Sequence, residues 1–191
     1  MEDKSKEARR RQIEDAAYKM LGEKGYAGTS MQGIARAAKA SNETLYNWYG
    51  DKKGLMAALI ARNTDTVRDT LSSHINADPL DRLAHLGPTL LAMVLGSRAV
   101  ALNRAAAADP SGDLGRALAR GGRETVAPMV TALMTDSPLR GQPDRLTQLY
   151  LTLLIGDLQI RRATGAMEPP TQEFCTTRAA EALDMLKRLA T

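Results

Sequence analysis

Apolar residues recur along this chain at helical spacing from end to end. Ile13, Ala16, Ala17, Met20 and Leu21 make the first stripe, and no stretch alternates apolar with polar residues as a strand does. An all-α fold is therefore expected. Turn-forming residues punctuate the pattern at Gly25–Gly28, Asp78-Pro79, 109–112, Gly121-Gly122, 137–143 and 165–170, which leaves about nine helices. From Asp51 to Asn76 the only Gly or Pro is Gly54, so one long helix should run from the first part of the chain into the second without a flexible linker. The expected domains are residues 1–55 and 56–191.

The second part carries heavier apolar loading. Between Arg145 and Ala163 the apolar residues fall on nearly every side of a helix, which requires cover on two faces. The segment from Thr171 to Leu189 adds a stripe whose small residues permit close approach of another helix. Leu146, Leu149, Tyr150, Leu153 and Leu154 of the first, with Ala179, Ala182, Leu183 and Leu186 of the second, are the expected homodimer interface. Upstream, Gly87-Pro88 interrupts an apolar helix running from Pro79 to Leu95, where a kink that opens a cavity is expected. Leu90, Met93 and Met129 would line it, and Asn103, Arg104, Arg123 and Asp157 would orient a small hydrophobic effector. The plainer alternative is an ordinary core with Arg104 and Asp157 as a buried pair.

Composition narrows the function classes. The 191 residues allow one or two modest domains. The lone Cys175 permits no intramolecular disulfide and no thiolate cluster, which suits a reducing compartment. The charged N-terminus lacks the apolar stretch of a secretory signal, and no run is long and apolar enough to span a bilayer, so a cytoplasmic location without membrane insertion is expected. His74 and His85 have no partner at metal-ligand spacing, and neither metal nor cofactor is expected. Catalytic motifs are missing as well: there is no phosphate-cradling glycine loop, nucleophile elbow or Cys-His constellation. A small helical-bundle enzyme stays as the alternative of a different class.

Charge is distributed unevenly. Residues 1–62 hold 12 Lys/Arg against 8 Asp/Glu, whereas the remainder holds 14 against 14, so the whole net charge of +4 sits in the first third. Such asymmetry suits a small part that meets phosphates, although a solvated basic face would look the same.

Within that third, residues 28–52 contain two very short helices. Thr29 or Ser30 can cap the first, which packs Ile34 and Ala38 inward with small Ala35 at a close approach. Ser41 can cap the second, with Thr44 at the third following position and Leu45 and Tyr49 at i and i+4 on its inner side. Asn42, Glu43, Tyr46, Asn47 and Trp48 then face outward or toward the helix ends. A short helix exposing hydroxyl, amide and aromatic groups is what the major groove is read with.

In order and spacing, Gly25-Tyr26, Thr29-Ser30, Ile34-Ala35, Ala38, Ser41, Thr44-Leu45-Tyr46, Tyr49, Lys52 and Leu55 resemble the TetR/AcrR-type DNA-binding domain over roughly residues 10 to 58. Ala101–Ala105 and Gly156–Ile160 are similar to the AefR-type C-terminal domain. The resemblance implies a three-helix helix-turn-helix domain joined by a long helix to a helical effector-binding and dimerisation domain. It also implies a homodimeric regulator of double-stranded operator DNA, with repression of a palindromic operator and release by a small hydrophobic effector. An effector-independent DNA-binding protein is the other reading. Thr44, Tyr46 and Lys52 fall where such proteins touch phosphates. Gln32, Asn42, Glu43, Asn47 and Trp48 fall where bases are read, Trp48 meeting either a thymine methyl or a sugar edge. Thr29, Ser30 and Ser41 complete the expected DNA-contacting set. Where family members commonly carry Gly-Val at the turn, this chain has Lys39-Ala40.

Overall fold

The computed structural model describes residues 2–190; Met1 and Thr191, the outermost residues of the two expected domains, lie outside them. Among the described residues the chain is helical throughout, with eleven α-helices and no strand. In order they are α1 (Glu2–Gly28), α2 (Met31–Ala37), α3 (Asn42–Tyr49), α4 (Lys52–Ser73), α5 (Pro79–Leu95), α6 (Ser97–Ala107), α7 (Asp113–Leu118), α8 (Glu124–Asp136), α9 (Pro143–Ile155), α10 (Leu158–Thr164) and α11 (Gln172–Leu189), with a π turn at Ala119–Arg123 before α8. The number exceeds the nine expected in part because Gly156, at φ 49° and ψ −128°, ends α9 and divides the apolar segment of residues 145–163 into two helices. The long helix expected after Asp51 is α4. No single helix among the described residues is long and apolar enough to cross a membrane.

The chain divides into two compact units, the first comprising Met1–Arg62 and Ala101–Ala119. Its core is built by the α1 stripe of Ile13, Ala17 and Leu21 with Met31 and Ile34 of α2, Leu45 of α3, and Leu55, Met56, Leu59 and Ile60 of α4. Leu102, Ala105 and Leu114 join that core, which is why 101–119 belongs to this unit. The domain division expected at residues 55/56 falls inside this buried stretch of α4. Polar contacts tie α4 to α1: the Tyr18 hydroxyl donates to the Leu59 carbonyl at 3.2 Å, and Arg62 pairs with both Glu7 and Glu14. Glu14 is 3% exposed and meets the Arg62 Nε at 3.1 Å. The guanidinium of Arg62 also holds the Glu7 carboxyl below the usual carboxylate range.

The second unit comprises Asn63–Val100 and Arg120–Thr191. Here α5 is the central element, packed by α11, α8, α9 and α10. It stays helical through Pro88, and the notch at Gly87 is filled: a Cβ added there would lie 2.7 Å from both the Ala179 Cβ and the Tyr150 hydroxyl. At Gly87 itself, α5, α9 and α11 cross closely. Tyr150 is fully buried, with its hydroxyl donating to the Leu83 carbonyl at 3.3 Å, and burial pushes its pKa upward.

This packing also accounts for the apolar loading of α9. Leu146, Tyr150, Leu154, Ala179, Ala182, Leu183 and Leu186, expected at a homodimer interface, are buried in the core of their own chain; Leu149 and Leu153 are only partly buried. The two faces that needed cover receive it from α8, α11 and α5. Cys175 lies in the same core, and burial raises its thiol pKa.

Five of the seven residues expected around an effector lie in the second unit. Leu90 is core and Met93 packs against it, Met129 is partly buried, and Arg123 and Asp157 are exposed. Asn103 and Arg104 belong to the first unit, and Arg104 is exposed, so the alternative of a buried Arg104–Asp157 pair is also set aside. His74 and His85, which have no partner at metal-ligand spacing in the sequence, stack at 4.1 Å between ring centroids. Each bonds through Nδ1 to the backbone carbonyl four residues earlier, His74 to Thr70 and His85 to Asp81. Among the described residues no group of three or more metal-ligating side chains is present.

Candidate nucleic-acid interface

The interface is built from α2, α3 and the first turn of α4. Ser30 caps α2, its hydroxyl accepting from the Gly33 N–H at 3.1 Å, and Met31, Ile34 and Ala35 anchor that helix inward. Of the two capping candidates it is Ser30 that serves. Thr29 is 2% exposed and donates to the Gly25 carbonyl at 2.7 Å, so its side chain belongs to the fold and not to the surface. Gln32 is exposed on α2.

The turn between α2 and α3 uses a left-handed residue. Lys39 adopts φ 52°, the conformation that glycine takes freely, at a cost of about 1–2 kcal/mol for an L side chain. Arg9 offsets part of this by donating from Nη1 to the Ala38 and Lys39 carbonyls, at 3.4 and 3.2 Å. The substitution at Lys39 therefore keeps the turn and adds a cation to it.

Ser41 caps α3 as expected. Its hydroxyl accepts from the Thr44 N–H at 3.0 Å and shares a 2.8 Å hydrogen bond with the Thr44 hydroxyl, a cap worth about 1 kcal/mol. Leu45 is fully buried, and burying such a side chain contributes about 1.5–3 kcal/mol. With α3 held from inside, Asn42, Glu43, Tyr46 and Asn47 are left exposed at i, i+1, i+4 and i+5, one polar face of a short helix. Tyr46 is 49% exposed, a large aromatic left open to solvent.

Trp48 and Tyr49 are half-buried and meet edge to face at 6.4 Å. Burial raises the pKa of the Tyr49 hydroxyl. The Arg10 guanidinium lies 5.7 Å from the Trp48 ring centroid. Arg9 and Arg10 are the residues that sequence reasoning passed over. Their signal was the run Arg9-Arg10-Arg11 just ahead of the α1 stripe, read only as charge.

At the α3–α4 corner the chain reverses through Gly50, at φ 74°. Asp51 then caps α4, accepting from the Gly54 N–H at 2.8 Å. Gly54 has no substitute here: an added Cβ would sit 1.9 Å from the Tyr49 carbonyl oxygen. Lys52 donates to the Tyr26 carbonyl at 3.0 Å, with its ammonium 4.2 Å from the Tyr26 ring centroid. An ammonium carries three donors, so two stay available to an anion at this helix N-terminus. Lys53, by contrast, is paired with Asp113 at 2.8 Å, and that partner together with Arg116 holds the Asp113 carboxyl below its usual range.

The arrangement is a short rod whose polar face is open and whose ends are fixed by caps, with cations at both flanks. Comparison with known proteins agrees with this geometry. Residues 13–59 match the family model described as bacterial regulatory proteins, tetR family. The HTH-type transcriptional regulator HbdR of Aromatoleum sp. (strain CIB) is 36% identical over 81 residues, covering 41% of this chain and 35% of that protein. The matched stretch thus spans well under half the length of such curated relatives. The crystal structure of a TetR transcriptional regulator from Agrobacterium tumefaciens superposes with a TM-score of 0.71 at 28% identity, covering 94% of this chain and 93% of that one. The FadR regulator of Bacillus subtilis in complex with stearoyl-CoA shares the fold, with a TM-score of 0.66 at 15% identity over 93% and 97% of the two chains.

Proposed function

From the premise that this chain belongs to the TetR family of DNA-binding transcriptional regulators, we propose that it is a repressor which holds a palindromic operator as a homodimer and leaves it on binding a small hydrophobic effector. The open polar face of α3 carries this reading. Asn42 and Asn47 present amides suited to adenine edges, Glu43 can accept from a cytosine amine, and Gln32 approaches from α2. Ser30, Ser41, Thr44, Tyr46 and Lys52 set register on phosphates, and the half-buried Trp48 offers an apolar edge. One such module reads only a few base pairs, so two modules placed about 34–36 Å apart, or a multiple of that, give a useful operator.

The division between positioning and reading is testable. Lys52→Ala is expected to weaken binding to all sequences and to reduce the salt slope of log K by about one unit. Asn47→Ala should leave that slope intact and relax preference at one base position, costing about 1–3 kcal/mol on the preferred site. Gel-shift titrations at several salt concentrations on a selected operator and its single-base variants measure both. Identical behaviour of the two variants would overturn this assignment.

The effector belongs to the second unit in this reading. The Leu- and Met-rich surroundings of α5 are compliant, and a regulator of the same fold is known with a long-chain acyl thioester bound. A ligand that releases DNA must bind the free state more tightly than the bound one. Acyl-CoA esters of increasing chain length are therefore expected both to raise the melting temperature and to release operator; stabilisation without release would favour the effector-independent reading.

A further inference from the structure

Two lysines open α4, and their ammonium groups have different partners. Lys52 spends one donor on the Tyr26 carbonyl and rests over that ring. Lys53, the next residue, is exposed, yet its ammonium is turned onto the Asp113 carboxylate at 2.8 Å. The hydrogen bond between them raises the Lys53 pKa and lowers that of Asp113, so each group favours the charged form of the other.

The carboxylate is held in place by its own loop. Leu114, one residue on, is 1% exposed in the core of the first unit. Through Oδ1, Asp109 accepts from the Ser111 N–H and hydroxyl at 3.1 and 2.7 Å, and through Oδ2 from the Leu114 N–H at 3.1 Å. Gly112 makes the bend at φ 68°. Arg116 donates to the Ser111 carbonyl at 3.0 Å and to the other Asp113 oxygen at 2.6 Å. An acid anchored in this way meets Lys53 within one chain, whereas a phosphate has to be brought in from solution. The loop also bears on the neighbouring lysine's seat: burial raises the pKa of Tyr26, and the Asp109 and Asp113 charges add to the rise.

We propose that Asp113 is an affinity-setting residue for DNA, which withholds Lys53 from the phosphate backbone so that one of the two lysines at the start of α4 contributes to binding. The proposal rests on the reading of the first turn of α4 as a phosphate-contacting element. Because phosphate contacts carry no sequence information, the carboxylate lowers affinity for every duplex alike. Operator preference stays with α3, and the strength of binding is set by the charge balance at α4.

Gel-shift titrations of the full chain at several salt concentrations, on a selected operator and on an unrelated duplex, test it. Asp113→Asn nearly keeps the size of the side chain and frees one cation. It should steepen the slope of log K against log salt by about one unit on both duplexes. The gain in affinity should be about tenfold at about 50 mM salt and shrink to about threefold at about 200 mM. Introduced into Lys53→Ala, the same substitution should leave the slope where it was; equal steepening in both backgrounds would overturn the proposal, since the carboxylate would then act by its charge alone. A second measurement leaves Asp113 intact. Lys53→Ala by itself should not alter the slope, whereas Lys52→Ala reduces it by about one unit. Equal reductions in the two lysine variants, or an Asp113→Asn slope equal to wild type while Lys52→Ala lowers it, would overturn the proposal and leave the phosphate reading of α4 standing. A slope unmoved by Lys52→Ala would overturn that reading and the proposal with it.

Discussion

Arg62→Ala should lower the stability of the first unit by about 3 kcal/mol, near the lower end of what removing one partner of a buried ion pair costs. The reason is the carboxylate left behind. Glu14 sits on the core side of α1 at 3% exposure, and Arg62 is the cation that meets it, at 3.1 Å. Without the guanidinium, Glu14 loses the cation 3.1 Å from it in a low-dielectric site, which favours uptake of a proton or a shift of α1 toward water. The same substitution takes from Glu7 the cation that chiefly holds its carboxyl below the usual range, leaving it Arg11 at 3.2 Å. Denaturant unfolding of wild type and variant measures the loss. A second substitution, Glu14→Gln, should recover much of it, because the buried charge disappears with its partner. A change under about 1 kcal/mol in Arg62→Ala would show that Glu14 finds water without unfolding.

Gly54→Ala should abolish sequence-specific DNA binding while most of the second unit stays folded. A methyl group on residue 54 would be placed 1.9 Å from the Tyr49 carbonyl oxygen, and a backbone atom cannot rotate out of the way as a side-chain tip can. The first turn of α4 must then move from the end of α3, which disturbs the Asp51 cap and the station of Lys52 together. Overpacking of this kind costs about 1–3 kcal/mol, and the rigidity of the obstacle places this case at the upper end. Gly22→Ala is the matching control: nothing lies within 4 Å of the added carbon, and alanine in a helix is favoured over glycine by about 1 kcal/mol. Gel shifts on a selected operator with circular dichroism of each variant separate lost recognition from lost fold. Unchanged operator affinity in Gly54→Ala would mean that the corner tolerates displacement.

What could be read from the sequence was local. Ser41, Thr44, Leu45 and Tyr49 announce a capped helix within nine residues, because capping and i, i+4 packing act over one or two turns, and the structure places them as that pattern implies. The exposure of Asn42, Glu43, Tyr46 and Asn47 follows from the same periodicity. Contacts between distant positions left no such trace. Glu7 and Arg62 are 55 residues apart, and the stack of His74 on His85 joins the turn after α4 to α5, a meeting that spacing in sequence does not announce. The all-round apolar character of α9 correctly demanded two covered faces, but composition does not distinguish cover by α5, α8 and α11 from cover by a second chain. Most of the residues assigned to a second chain are covered within their own. Gly87 shows the same limit from the other side, since a glycine beside a proline suggests a defect, whereas here it sits at a close crossing of α5 with α9 and α11.

The placement of Cys175 between α11 and its neighbours has a practical side. Sulfur chemistry requires the ionised form and a path to the reagent; burial disfavours the first, and at 1% exposure it closes the second while the helix stays seated. Alkylation of the intact protein can then proceed only as fast as α11 lifts, so the rate of thiol labelling becomes a clock for that local opening. Run with and without operator or acyl ester, the clock would show how firmly each one latches the C-terminal helix, with no added label to perturb it.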